Sequence, residues 1–252
     1  MSLDNFNEIK QKLIELVIQF ETTERKINVL NNTYFLQFFS ELEQQRYLQY
    51  ENDYLVKAIA MKADGKTEEE VRSFLDQCKK EFSSHMQSFY RQHKLALEME
   101  NQSKTYTKED LEKVDQDFKQ YCSIYHPLVK AHSNEIERNM YASLITLYRA
   151  GNVVGFKNLM KEIQPMFTSP AVEENEKESL VKLYKESILH LKELLAKSKD
   201  AFPINKENIF FNDQLLTREE IYLREKNYKA REMNKALQED FKLQFAFNFS
   251  LE

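Results

Sequence analysis

Glycine is scarce in this chain: three residues in 252, where about 18 would be ordinary. Tryptophan is absent and there are four prolines. Loops that cradle phosphates need glycine so that the backbone can approach the ligand. Gly65, Gly151 and Gly155 form neither G-x-G-x-x-G nor a Walker pattern. Sheet-rich and doubly wound folds need many tight turns, and the turn residues are missing. The expected fold class is therefore all-α, elongated, with few connections.

Further absences narrow the function. Two cysteines, Cys78 and Cys122, make neither a disulfide framework nor a zinc site. The five histidines (His85, His93, His126, His132 and His190) show no H-E-x-x-H or similar metal spacing. No serine sits in G-x-S-x-G. No cofactor, metal or catalytic residue is expected, and the chain reads as a non-enzyme. No apolar run reaches transmembrane length, and MSLDNFNEIK has no signal-peptide pattern. A cytoplasmic protein without membrane contact is expected. Net charge is −5, which argues against nucleic acid as a partner. The locally basic run from Arg224 to Lys235 reads as a solvated helix face.

What is present is helical periodicity. Charged residues make up 31 % and hydrophobic residues 42 %, enough for a packed core. From Asp4 to about Lys62, Phe6, Ile9, Leu13, Leu16, Phe20, Thr23, Ile27, Leu30 and Tyr34 fall at alternating spacings of three and four. That spacing is a coiled-coil seam, and it becomes aromatic from Phe35 onward. A single helix of this length would span roughly 90 Å. Gly65 suits the turn after it, and Thr67 with Glu70 forms a capping box for a second helix to about Gln102. Residues 1–104 are thus expected as a long antiparallel helical hairpin. The second helix is too short to cover Phe6 to Ile27, so C-terminal helices or a second copy of the chain must bury that stripe. A homo-oligomer through this seam is one expected partner arrangement.

Residues 105–165 read as a compact helical module. Thr107 with Asp110 can cap a helix to Tyr125, and His126-Pro127 stops it. Asn134 with Glu137 caps the next helix, which Gly151 closes, and a short helix from Val153 to Glu162 follows. Pro165 to Pro170 is a linker. Residues 171–252 are expected as a C-terminal helical pair with a Phe-rich tail. One helix runs from about Glu173 to Lys199, and another is capped by Thr217 with Glu220. In the tail, Phe241, Leu243, Phe245, Phe247, Phe249 and Leu251 alternate with more polar residues. Period two is a strand signature, but no sheet is at hand, so continued helix or disorder competes with a strand.

The module from 107 to 160 carries one specific pattern: a helix ending in Tyr125-His126-Pro127, a polar loop, and a helix ending in Tyr148-Arg149-Ala150-Gly151-Asn152. It resembles the J domain of DnaJ co-chaperones, whose second and third helices flank a His-Pro-Asp loop. The wider chain is similar to the DnaJ-like coiled-coil proteins of Gram-positive bacteria. The resemblance implies that His126 and Pro127 occupy the loop that engages a heat-shock ATPase chaperone. Leu128 stands where the family has aspartate. Lys113 and Lys119 lie on the preceding helix, normally basic, and Glu112, Asp115 and Asp117 offset them. The expected function is a non-catalytic interaction or scaffold protein with a degenerate J-like module. The alternative is a divergent co-chaperone recruiting a heat-shock ATPase chaperone through His126-Pro127. Interaction candidates are His126, Pro127, Leu128, Lys113 and Lys119, the seam residues Phe6, Ile9, Leu13, Leu16 and Phe20, and Phe245, Phe247 and Phe249 of the tail.

Overall fold

A computed structural model describes residues 3–130, 134–163, 172–173 and 176–251. The linker expected at 165–170, His132 and Glu252 lie outside the described residues. The fold is all-α. Its helices are α1 (Leu3–Gln37), α2 (Phe39–Ala63), α3 (Glu68–Ser103), α4 (Lys108–Tyr125), α5 (Glu135–Arg149), α6 (Val153–Ile163), α7 (Lys177–Lys199) and α8 (Asp213–Gln244), with a 3-10 helix at Ile204–Phe211.

Local signals set most of these ends. Thr67 accepts from the Glu70 amide at 3.2 Å while the Glu70 carboxylate accepts from the Thr67 amide at 2.8 Å. Equivalent reciprocal pairs join Thr107 with Asp110 and Asn134 with Glu137, each satisfying amides that the first helical turn leaves free. Gly65 and Gly151 take φ of 80° and 71°, as residues just past a helix end must.

Two expectations need correction. The first long helix is not continuous: Phe38 leaves helical dihedrals (φ −113°, ψ 23°) between α1 and α2. The amide of Phe38 still donates to Tyr34 and its carbonyl still accepts from Leu42, both at 3.0 Å. Phe38 is buried with Tyr34, Ile209 and Leu223, so packing of this ring accompanies the distortion. The last helix starts before Thr217. Asn212 Oδ1 accepts from the amides of Gln214 and Leu215 at 2.9 and 3.2 Å. Thr217 instead donates its hydroxyl to the Asp213 carbonyl at 2.8 Å, a back-bond of the helix interior.

The chain divides into two compact units, and the division differs from the three consecutive segments that the sequence suggests. Unit 1 comprises residues 1–32 and 99–207; unit 2 comprises 33–98 and 208–252. Helix α7 belongs to unit 1 and α8 to unit 2.

Unit 1 has two apolar clusters. Val114, Phe118, Tyr121 and Cys122 of α4 pack with Leu144, Ile145 and Tyr148 of α5 and with Val153, Phe156 and Met160 of α6. The Phe118 and Tyr148 rings stack 3.5 Å apart. In the second cluster, Phe6, Leu13 and Val17 of α1 pack against Leu180, Val181, Tyr184, Ile188 and Leu191 of α7. The N-terminal seam is thus covered by a helix of the same chain.

In unit 2, α2 runs antiparallel to α3: Tyr54 and Tyr50 lie near Cys78, Phe82 and His85, whereas Phe39 lies near Phe89 and His93. Helix α8 runs parallel to α2, and the two are joined by apolar contacts, such as Phe241 against Tyr54, Leu55 and Ala58, and by amide hydrogen bonds. Asn227 donates to the Glu41 carbonyl at 2.8 Å, Asn52 to the Ala230 carbonyl at 3.0 Å, and Asn234 and Gln238 to the Glu51 carboxylate at 3.0 and 3.1 Å. Tyr34 donates to Glu219 at 2.7 Å. Buried carboxylates and amides need such partners.

Candidate functional site

The His-Pro turn of unit 1 is built from local rules. Proline disfavours helical geometry in the residue before it, and His126 has φ −59°, ψ 131° as the cap of α4. Its carbonyl accepts from Val129 and Lys130 at 2.8 and 2.9 Å, closing a turn with Pro127 in the second position, where its fixed φ is an advantage. Tyr184 of α7 donates to the Val129 carbonyl at 2.9 Å and pins the turn from outside.

The His126 ring is spent inside the unit. Its Nδ1 accepts from the Leu128 amide at 3.1 Å, which places the ring proton on Nε2. That nitrogen lies 3.5 Å from Oε1 of Glu21, a residue of α1 that is only 2 % exposed. The same carboxylate receives the Tyr141 hydroxyl at 3.3 Å and Arg149 Nε at 2.6 Å, both from α5. Arg149 is held further by Asn28, whose amide donates to the Arg149 carbonyl at 3.3 Å. Burial alone would raise the Glu21 carboxyl. Hydrogen bonds from His126 and Arg149, with the Arg149 charge, outweigh it and hold the group below its ordinary value of 4.5. A buried carboxylate with three polar partners and one fixed cation is a structural arrangement: it ties α1 to α4 and α5.

The reactive groups around it are muted. Cys122 is fully buried, and burial pushes its thiol well up, with Glu21 adding to the effect. The nucleophilic form, the thiolate, is therefore disfavoured at neutral pH. Burial also raises the Tyr141 hydroxyl. Among the described residues, no group of three or more His, Cys, Asp or Glu side chains could hold a metal ion.

A second ionic set lies beside it. Asp115 of α4 pairs with Arg25 of α1 and accepts the Tyr148 hydroxyl at 3.2 Å. The Arg25 guanidinium sits 4.7 Å above the Tyr148 ring. Asp110 pairs with Lys157 of α6, and that bond, with two from Thr107, brings its carboxyl down to about 2. Lys130 bonds Glu137 and covers the Tyr125 ring at 4.9 Å.

The sequence candidates separate clearly in space. His126 is buried, whereas Pro127 and Leu128 are exposed, Leu128 by 38 %. Lys113 and Lys119 lie on the exposed face of α4. Phe6 and Leu13 are core residues against α7, and Ile9, Leu16 and Phe20 are half-buried beside them. In unit 2, Phe245 and Phe249 are buried and Phe247 is half-buried. Of the seam residues, Phe20 reaches the His126 cluster: the Arg149 guanidinium lies 5.7 Å from its ring. Sequence reasoning missed Glu21, Tyr141 and Arg149. The available signal was Glu21 itself, four residues beyond Val17 and eight beyond Leu13, on the face that those two bury completely.

An exposed apolar side chain also stands on α5. Ile136 is 65 % exposed and borders a recess of about 230 Å³ with Tyr121, Tyr125, Met140 and Ile163, edged by Asn134 and Glu137. Comparison with protein-family models, with curated proteins and with solved structures finds no match to this chain.

Proposed function

We propose that this protein is a non-catalytic protein–protein interaction or scaffold protein that keeps the shape of a His-Pro helix–turn–helix without its trigger chemistry. The observation that carries the reading is the use of His126. Both ring nitrogens are engaged inside unit 1, by the Leu128 amide and by Glu21, so the imidazole holds the turn rather than offering itself to a partner. Apolar side chains stand exposed on the turn and on the helix that follows it: Leu128, and Ile136 of α5 beside its recess. Aromatic and aliphatic groups around a small pocket suit the anchor side chain of a partner protein. The test is quantitative co-purification with the wild type and with Leu128→Asp/Ile136→Asp. Both sites are exposed, so the fold should persist, and partners held by this surface should be lost. An unchanged set of partners would remove the surface from the account.

A divergent co-chaperone is the second reading, favoured by one observation: Pro127 and Leu128 stand exposed at the turn that the resemblance assigns to chaperone contact. It predicts that the cognate heat-shock ATPase is stimulated by this protein and stimulated further by Leu128→Asp. Flat ATPase rates with both proteins would end that reading.

A further inference from the structure

The last residues of the chain leave α8 and return along it. Phe245 closes the helix, its amide donating to Phe241 at 3.0 Å, and residues 245–251 continue as neither helix nor strand. The Phe249 carbonyl accepts from Gln238 of α8 at 2.9 Å, so the segment folds back. The period-two pattern is realised without a sheet: Phe245 and Phe249 are buried and Phe247 is half-buried, while Ala246, Asn248 and Ser250 face outward.

The receiving surface matches this pattern ring by ring. Phe245 and Phe249 share a cluster with Tyr54 and Leu55 of α2 and Leu75, Cys78 and Phe82 of α3. Each tail ring also meets one cation. Lys62 lies 5.6 Å from the Phe245 ring, Arg72 lies 3.8 Å from Phe247 and Lys79 lies 5.4 Å from Phe249. Such contacts are attractive through the ring quadrupole. Beyond Ser250 a cleft of about 660 Å³ continues between Tyr47, Met86, Tyr90 and Asn234, so the tail does not fill the groove.

We propose that this groove of unit 2 is a docking site for a Phe-x-Phe-x-Phe segment, and that its occupant in trans is the C-terminal tail of a second copy of this chain. The tail in place defines the chemistry of the occupant. Its Phe249 carbonyl accepts from Gln238 and its rings meet Lys62, Arg72 and Lys79, and a second copy's tail would make the same contacts. Closed and exchanged forms then differ mainly in chain entropy and concentration. The inference concerns unit 2 and does not depend on the reading of the His126 turn.

The test uses the full chain with Phe245→Ser, Phe247→Ser and Phe249→Ser, which vacates the groove, and a fluorescent peptide copying residues 242–251. Saturable binding is expected, at least tenfold tighter than to the wild type, whose own tail competes. Arg72→Glu in the receptor should weaken it several-fold. A scrambled peptide with its three phenylalanines adjacent should not bind. Equal binding by wild type and variant, or by the scrambled peptide, overturns the proposal. Should the vacated chain not fold, Arg72→Cys/Phe247→Cys in the otherwise intact chain gives the answer. After refolding at increasing concentration and oxidation, a rising fraction of disulfide-linked dimer is expected, and monomer at every concentration overturns it.

Discussion

Arg149 donates its Nε to Glu21 Oε2 at 2.6 Å, joining residues 128 positions apart. The bond is the shortest in a cluster that also holds the His126 ring and the Tyr141 hydroxyl. Through it, one buried carboxylate fixes the first helix against the two helices that flank the His-Pro turn.

Removing that carboxylate leaves a partly buried guanidinium without its counter-ion. Glu21→Ala should lower stability by about 3–5 kcal/mol, the usual cost of breaking a buried pair from one side. The pH dependence has a definite sign. The folded Glu21 carboxyl lies below its ordinary value of 4.5, so its contribution is complete above that value and is lost as pH falls through the folded one. Thermal melts from pH 7 to pH 3 should show the wild type losing stability at the acid end. Glu21→Gln should show a shallower loss over the same window.

The cap of α4 gives a second titration. Asp110, brought to about 2 chiefly by Lys157 and then by Thr107, should be seen near that value by carboxyl NMR. In Lys157→Ala it should move part of the way back towards 3.8, because the Thr107 bonds remain. The stabilisation linked to Asp110 is present above 3.8 and disappears as pH falls through about 2. An unmoved resonance would place the depression elsewhere.

Gly65 makes the α2–α3 turn with φ of 80°, and a side chain there would meet no atom within 4 Å. The cost of Gly65→Ala is therefore conformational alone. A loss of roughly 1 kcal/mol is expected in denaturant titration. A larger loss would mean that a steric contact is involved.

Phe156 is fully buried between α4 and α5, its ring centroid 6.3 Å from that of Phe118 and 6.1 Å from that of Tyr148. Phe156→Ala should cost about 3–5 kcal/mol through lost transfer energy and the remaining cavity. Far-ultraviolet circular dichroism during thermal unfolding checks it.

Much of the fold was legible because it is local. A threonine or asparagine with an acidic residue three positions later marks a helix start, and Thr67, Thr107 and Asn134 all do so in the structure. Thr217 shows the limit of the rule: Asn212 offers a better cap five residues earlier, and the pattern at Thr217 becomes helix interior. Long-range pairing was not legible. Nothing in the periodicity says that α7 buries the α1 seam or that α8 seeks the amides of α2. The tail was read as strand or as helix or disorder; residues 245–251 are neither helix nor strand, and ring–cation and core contacts hold them. At the candidate site, His126-Pro127 was visible as a motif. Its meaning lay in Glu21, and a charged residue on an apolar face does not announce which partner it will meet.

The central claim is that the surface around the His-Pro turn binds a protein while His126 itself only holds the turn. Affinity capture from cells, quantified by mass spectrometry, tests it with the wild type and Leu128→Asp/Ile136→Asp compared at matched melting temperature. The account predicts a defined set of partners retained by the wild type and lost from the variant. Identical capture by both proteins would contradict it.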